Sequence, residues 1–304
     1  MAPAVSFDRI VVVDWSAHSV PKVGADSIWL AIDDRGTLAV ENPATRAGAA
    51  GRLTSIVEAA GDSTTLIGVD FSLGYPAGTA RALGCRGQPW QAMWTLLADS
   101  IVDDERNGNN RFEFAAECNA MVGDGPGPFW GCPPRRQVEH CLTTTKPVRS
   151  GGHPPEWRLV EAVLRRRGRR PFSSWQLLGA GAVGSQSLLG IPVLERLRRR
   201  FPHRVDIWPF TTGLRLPPKR AGQVVVAEVW PTIVSATATS ESVRDARQVA
   251  DVATWLRGLD RGDELREQFE PEVATASRSA VIDEEGWVLG VSAQDTSGER
   301  TERG

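Results

Sequence analysis

The stretch IVVVDWS at residues 10–16 decides how the rest of the chain is read. Four apolar residues in succession, closed by an acid, predict a short strand buried on both faces, Ile10–Asp14. A second such stretch, TLIGVDF at 65–71, also runs its apolar residues into an aspartate, Asp70. Between them SIWLAID (27–33) and TLAVE (37–41) predict two more strands, joined by a DDRG turn whose Gly36 signals a hairpin. Ala47–Ala60 predicts a helix with Leu53, Ile56 and Val57 on one side, ended at Gly61-Asp62. The first eighty residues therefore read strand-strand-strand-helix-strand.

Beyond them the texture changes. Residues 84–155 mix Gly, Pro, Asn and Trp irregularly, as in GDGPGPFWGCPP at 123–134, and predict a loop-rich insertion that lids or lines a site. One helix is expected there, at Gln91–Val102. Helical character returns at Arg158–Arg167 and at Val183–Phe201, where Pro192 predicts a kink or restart. VDIWPF (205–210) and VVVAEVW (224–230) predict further strands. Between Ser240 and Leu259, apolar residues from Val243 to Leu256 recur at helical spacing, and Trp287–Val291 predicts a short edge strand. The expected architecture is one α/β domain over 1–292, with the insertion at 84–155 and a flexible polar tail at 293–304.

Composition narrows the class. At 304 residues, 41% hydrophobic and 24% charged, the chain is globular rather than disordered or fibrous. The longest apolar runs are too short for a membrane span, and the opening residues lack the basic n-region of a secretory signal. Cys85, Cys118, Cys132 and Cys141 form no CxxC pair, which points to reduced thiols and a cytoplasmic location. The net charge of −2 hides an asymmetry: Trp157–Arg204 holds eleven Arg against two Glu. That stretch is either a face for phosphate or a solvated helix surface.

Four acids occupy chemically useful places. Asp14 and Asp70 end two strands, Glu228 lies in a third, and Asp245 falls in the first turn of the late helix. A single strand-end aspartate is ordinarily a turn residue. Four together need basic partners or a cation, because an unpaired buried carboxylate is costly. Carboxylate oxygens suit Mg²⁺ or Mn²⁺.

The blocks VVVDWS (11–16), GVDFSLGYP (68–76), AEVWPT (227–232) and RDARQ (244–248) occur in an order that resembles a large, uncharacterised bacterial family. That family has the ribonuclease-H-like fold and belongs to the branch that holds the Holliday-junction resolvases. NNRFEFAAECN (109–119) and WQLLGAGAVGSQSLLGIP (175–192) also look like it, and the resemblance covers about residues 8–290. Ser72 departs from the pattern, which usually has Pro there. The resemblance implies a mixed sheet, a three-stranded meander followed by parallel strands with helices on both faces. It also implies a cluster of Asp14, Asp70, Glu228 and Asp245 around one or two divalent ions, with Asp14 bridging. Two-metal chemistry then predicts phosphodiester hydrolysis, with nucleic acid or a phosphate-containing small molecule as partner. The same fold carries sugar kinases and ATPases, so the fold alone does not assign the reaction.

Other constellations compete. GAGAVG at 179–184 matches the GxGxxG fingerprint, with Asp206 at a suitable distance for an acidic partner. It predicts either an oxidoreductase or cofactor-biosynthesis role, or a phosphate contact by Gly181, Gly184, Ser185 and Gln186 at a helix N-terminus. The polar residues before it make a poor buried strand. Ser16, Asn110 and Arg111 are further candidates for substrate contact, Asn110 and Arg111 equally for helix capping. Cys132, His140, Cys141 and His153 fit no standard zinc spacing. A non-catalytic ligand- or partner-binding protein of the same fold is the third reading.

Overall fold

The computed structural model describes residues 6–137, 141–149, 151–179, 182–234 and 243–293. Six strands form one mixed sheet: β1 (Arg9–Asp14), β2 (Trp29–Asp34), β3 (Thr37–Glu41), β4 (Thr65–Val69), β5 (Val205–Ile207) and β6 (Val224–Glu228). Their order across the sheet is β3-β2-β1-β4-β6-β5. β1, β2 and β3 pair antiparallel as a meander, while β1/β4, β4/β6 and β6/β5 pair parallel. The meander and the following parallel strands stand where the apolar runs predicted them.

Nine α-helices are described: α1 (Arg46–Glu58), α2 (Thr79–Ala82), α3 (Pro89–Ser100), α4 (Arg111–Val122), α5 (Leu159–Arg166), α6 (Gly184–Arg200), α7 (Arg244–Arg261), α8 (Leu265–Phe269) and α9 (Thr275–Ala280). The central strands separate two cores by their pleat. Val11, Val13, Ile67 and Val69 face α1, α3, α4 and α6, whereas Ile10, Val12, Leu66 and Val225 face α5, α7 and α8. Covering both faces explains why these strands read as unbroken apolar runs.

Three differences from the sequence reading have physical causes. Residues 84–155 hold more than the one expected helix, which stands as α3: α4 lies there too, and Trp90, Met93, Trp94, Phe112 and Phe114 are built into the main core. The helix does not restart at Pro192, which sits inside a continuous α6 anchored by buried Leu188, Leu189 and Leu194. The expected strand at Trp287–Val291 reduces to one parallel bridge, Glu228 to Val288. The polar tail from 294 onward lies outside the described residues.

Among the described residues no helix is long and apolar enough to cross a membrane.

Candidate functional site

A cleft of about 840 Å³ opens at the carboxyl ends of β1, β4 and β6. The parallel pairing of Val13 with Val69 brings the next residues, Asp14 and Asp70, side by side. Both project from the face that α7 covers, and α7 delivers Asp245 to the same cleft from its first turn.

Asp14 and Asp70 share a side-chain hydrogen bond. Asp70 also accepts a 2.8 Å bond from the Trp15 amide, and Asp245 accepts one of 2.7 Å from the Asp26 amide. Among the described residues no Lys or Arg forms an ion pair with Asp14, Asp70 or Asp245. Burial, followed by the charge of Asp70, holds Asp14 well above the usual carboxylate range. Burial also pushes Asp70 up to about 6, against the hydrogen bonds from Asp14 and Trp15 that favour its charged form. Burial and the mutual charge of the pair thus both favour the protonated form of Asp14.

Glu228 is different, and the four-carboxylate cage expected from the sequence is corrected here. Val69 pairs with Glu228 in the β4/β6 register, so Glu228 shares the pleat of Val69 and points opposite to Asp70. It borders the cleft, but its oxygens are taken. Arg158 grips them bidentately at 2.6 and 2.8 Å, and the Leu73 amide donates at 3.1 Å. Arg158 also binds Glu161 and the Glu285 carbonyl. Burial still raises the Glu228 pKa, opposed chiefly by Arg158. Glu228 is thus a neutralised internal acid that ties α5 to the sheet.

Ser16, Arg111, Ser185 and Gln186 all line the cleft. Ser16 lies on the loop after β1, which Arg46 clamps by bonding the Ser16 and His18 carbonyls while paired with Asp103. Gln186 donates to the Trp15 carbonyl. Asn110 turns away: its side chain bonds the Val102 amide and the Ser100 carbonyl, closing the loop before α4. Gly184 opens α6 against the Gln176 and Ser174 carbonyls, which a Cβ would strike at 2.5 and 2.6 Å. That close packing, rather than ligand contact, accounts for this glycine. Gly181 and His140 lie outside the described residues.

No sheet strand runs into the glycine block; the residues before it form turns and a single bridge, Trp130 to Gln176. Asp206 sits on edge strand β5, paired with Arg220. The strand–turn–helix context of a dinucleotide site is missing among the described residues. The positive stretch 157–204 is partly committed within the fold. Arg198 and Arg199 pair with Glu195 and Arg200 with Glu58, and of this stretch only Arg158, itself paired, is an arginine of the cleft wall.

The sequence reading missed His18, Lys22, Asp26 and Arg158 in the cleft. They sit on loops or at a helix start, where no periodicity marks them. Among the described residues no three His, Cys, Asp or Glu side chains stand close enough together to enclose a metal ion. Comparison with known protein families, with curated proteins and with solved structures returns no match for this chain.

Proposed function

We propose that the cleft is the active site of a divalent-cation-dependent phosphodiester hydrolase. The observation that carries this reading is the Asp14–Asp70 pair: two interacting carboxylates at adjacent strand ends, with Asp245 adding negative charge and no ion-paired Lys or Arg among the described residues. The donor set suits Mg²⁺ or Mn²⁺, which take one or two carboxylates and fill the remaining positions with water and substrate phosphate. Asp14 and Asp70 would hold the ion, with Asp245 beside them. Such an ion supplies positive charge to activate water and stabilise a leaving oxygen. In the reaction the water oxygen bonds to phosphorus, the P–O ester bond breaks, and the water's proton ends on the leaving oxygen. The residues' own part is to orient: the Trp15 amide holds Asp70, and the Asp26 amide holds Asp245. The meander followed by parallel strands, and the motif resemblance to ribonuclease-H-like proteins, support the same reading, with nucleic acid as substrate.

The test is a panel of single-stranded, duplex and branched DNA and RNA with Mn²⁺, wild type beside Asp14→Asn. Cleavage by the wild type and its loss in the variant is the expected result. No cleavage, together with no Mn²⁺-dependent rise in melting temperature, overturns the proposal. The shared hydrogen bond also favours a second reading, a cation-free acid–base pair resembling two carboxyls that share one proton. Turnover that survives EDTA would select it.

A further inference from the structure

Four arginines are buried among the described residues: Arg46, Arg111, Arg158 and Arg257. Three have carboxylate partners, Arg46 with Asp103, Arg158 with Glu161 and Glu228, and Arg257 with Asp33 and Asp260. Arg111 has none. It is 7% exposed, and its bonds go only to neutral oxygens: Nε to Ser185 Oγ at 3.0 Å, Nη1 to Ser19 Oγ at 3.1 Å and to Asn109 Oδ1 at 2.7 Å. Its Nη2 has no acceptor among the described residues, and the guanidinium lies on the Phe112 ring, 4.3 Å from its centroid.

We propose that Arg111, with the first turn of α6, forms a binding site for a phosphate oxyanion inside the cleft. A buried cation without a counter-charge is costly, and burial together with the charge of Arg46 pulls the Arg111 pKa down to about 10. The neutral acceptors do not cancel the charge; they hold the planar fork in one orientation, leaving the Nη2 donors for a ligand. Ser185 completes the arrangement. Its hydroxyl donates to the Leu177 carbonyl at 2.6 Å, so its oxygen accepts from Arg111 and fixes the guanidinium against the N-terminus of a 17-residue helix. That terminus is the positive end of the helix dipole, and Ser185 and Gln186 on it face the cleft. Lys22 and His18 line the same cleft, with Lys22 paired to Asp26 at 3.7 Å. The site rests on the hydrolase reading only in taking the bound phosphate to be the substrate's.

The test uses the full chain in EDTA, titrated with inorganic phosphate by calorimetry and thermal melting. Wild type should bind, and Arg111→Gln should bind at least about tenfold more weakly, the loss expected for charge-assisted hydrogen bonds. Asn110→Ala, whose side chain closes the loop before α4, should keep the wild-type phosphate affinity. If Arg111→Gln does not fold, Arg111→Lys, which keeps the charge but not the fork, should still weaken binding. No phosphate binding by the wild type, or binding by Arg111→Gln and Arg111→Lys equal to the wild type's, overturns the site. Equal binding of acetate overturns phosphate as its ligand class. Phosphate binding that depends on Arg111 in a protein that cleaves nothing would remove the hydrolase reading and leave this site standing. Metal-dependent cleavage with phosphate affinity indifferent to Arg111 would do the reverse.

Discussion

Asp70 and Glu228 end neighbouring parallel strands, and in sequence they look alike: an acid closing an apolar run. In the fold they are opposites. Asp70 interacts with another carboxylate and, among the described residues, pairs with no Lys or Arg, whereas Glu228 is held in both oxygens by Arg158. One residue of register makes the difference, because Glu228 is level with Val69 and Asp70 lies one step beyond. A strand side chain changes face with every residue, so adjacent acids at one sheet edge enter different environments. An acid that meets a base inside the protein is structural. An acid pair left without one retains a proton or takes up a cation.

The sharpest way to break this contrast is Arg158→Met. It leaves Glu228 and Glu161 buried without their counter-charge and should lower stability by about 3–5 kcal/mol in urea unfolding. A loss under about 1 kcal/mol would mean that Glu228 is not held by Arg158 and belongs with the other acids.

The opposite sign is expected at the other site. Asp14→Asn keeps the shape and removes a buried acid from beside Asp70, so the metal-free protein should be more stable at pH 7. Mn²⁺ should raise the melting temperature of the wild type and leave that of the variant unmoved. Destabilisation by Asp14→Asn in EDTA would show that the pair is structural.

Proton linkage sharpens the same point. With its folded-state pKa at about 6, Asp70 binds a proton more tightly in the folded than in the unfolded state. Its contribution is therefore fully present below the ordinary carboxylate pKa near 3.8 and is lost as pH rises through about 6, with Asp14 extending the loss upward. Denaturant midpoints measured in EDTA from pH 4 to 7 should fall for the wild type, and fall less for Asp14→Asn.

The smallest effect is expected at Asn110. Asn110→Ala removes two loop-closing hydrogen bonds, costing about 1–2 kcal/mol, and should leave phosphate binding and cleavage unchanged. A selective loss of phosphate affinity, without a change in stability, would return Asn110 to the binding site.

The cationic side of the cleft was less legible than the acidic side. The arginine density of 157–204 points to that stretch, yet four of its arginines pair with acids of the fold and only Arg158 of the stretch reaches the cleft wall. Arg111, which the sequence offered equally as a capping residue, is the one buried without an acid. Local charge density says how many cations a segment has but not which of them the fold leaves unmatched. The texture of 84–155 is read too loosely for a related reason: α3 is expected there, but Gly and Pro punctuation hides α4, and both helices carry enough aromatic surface to belong to the core.

The sequence by itself determined the strands and their layering, because an apolar run of five or six residues has few ways to be buried except as a central strand. It also determined that Asp14, Asp70 and Asp245 stand at the ends of elements, where the apolar pattern stops. Only the tertiary structure decided which acids meet which bases. Register, pleat and the positions of Arg158 and Arg111 depend on contacts between residues far apart in the chain, and no local pattern encodes the distance between two charges.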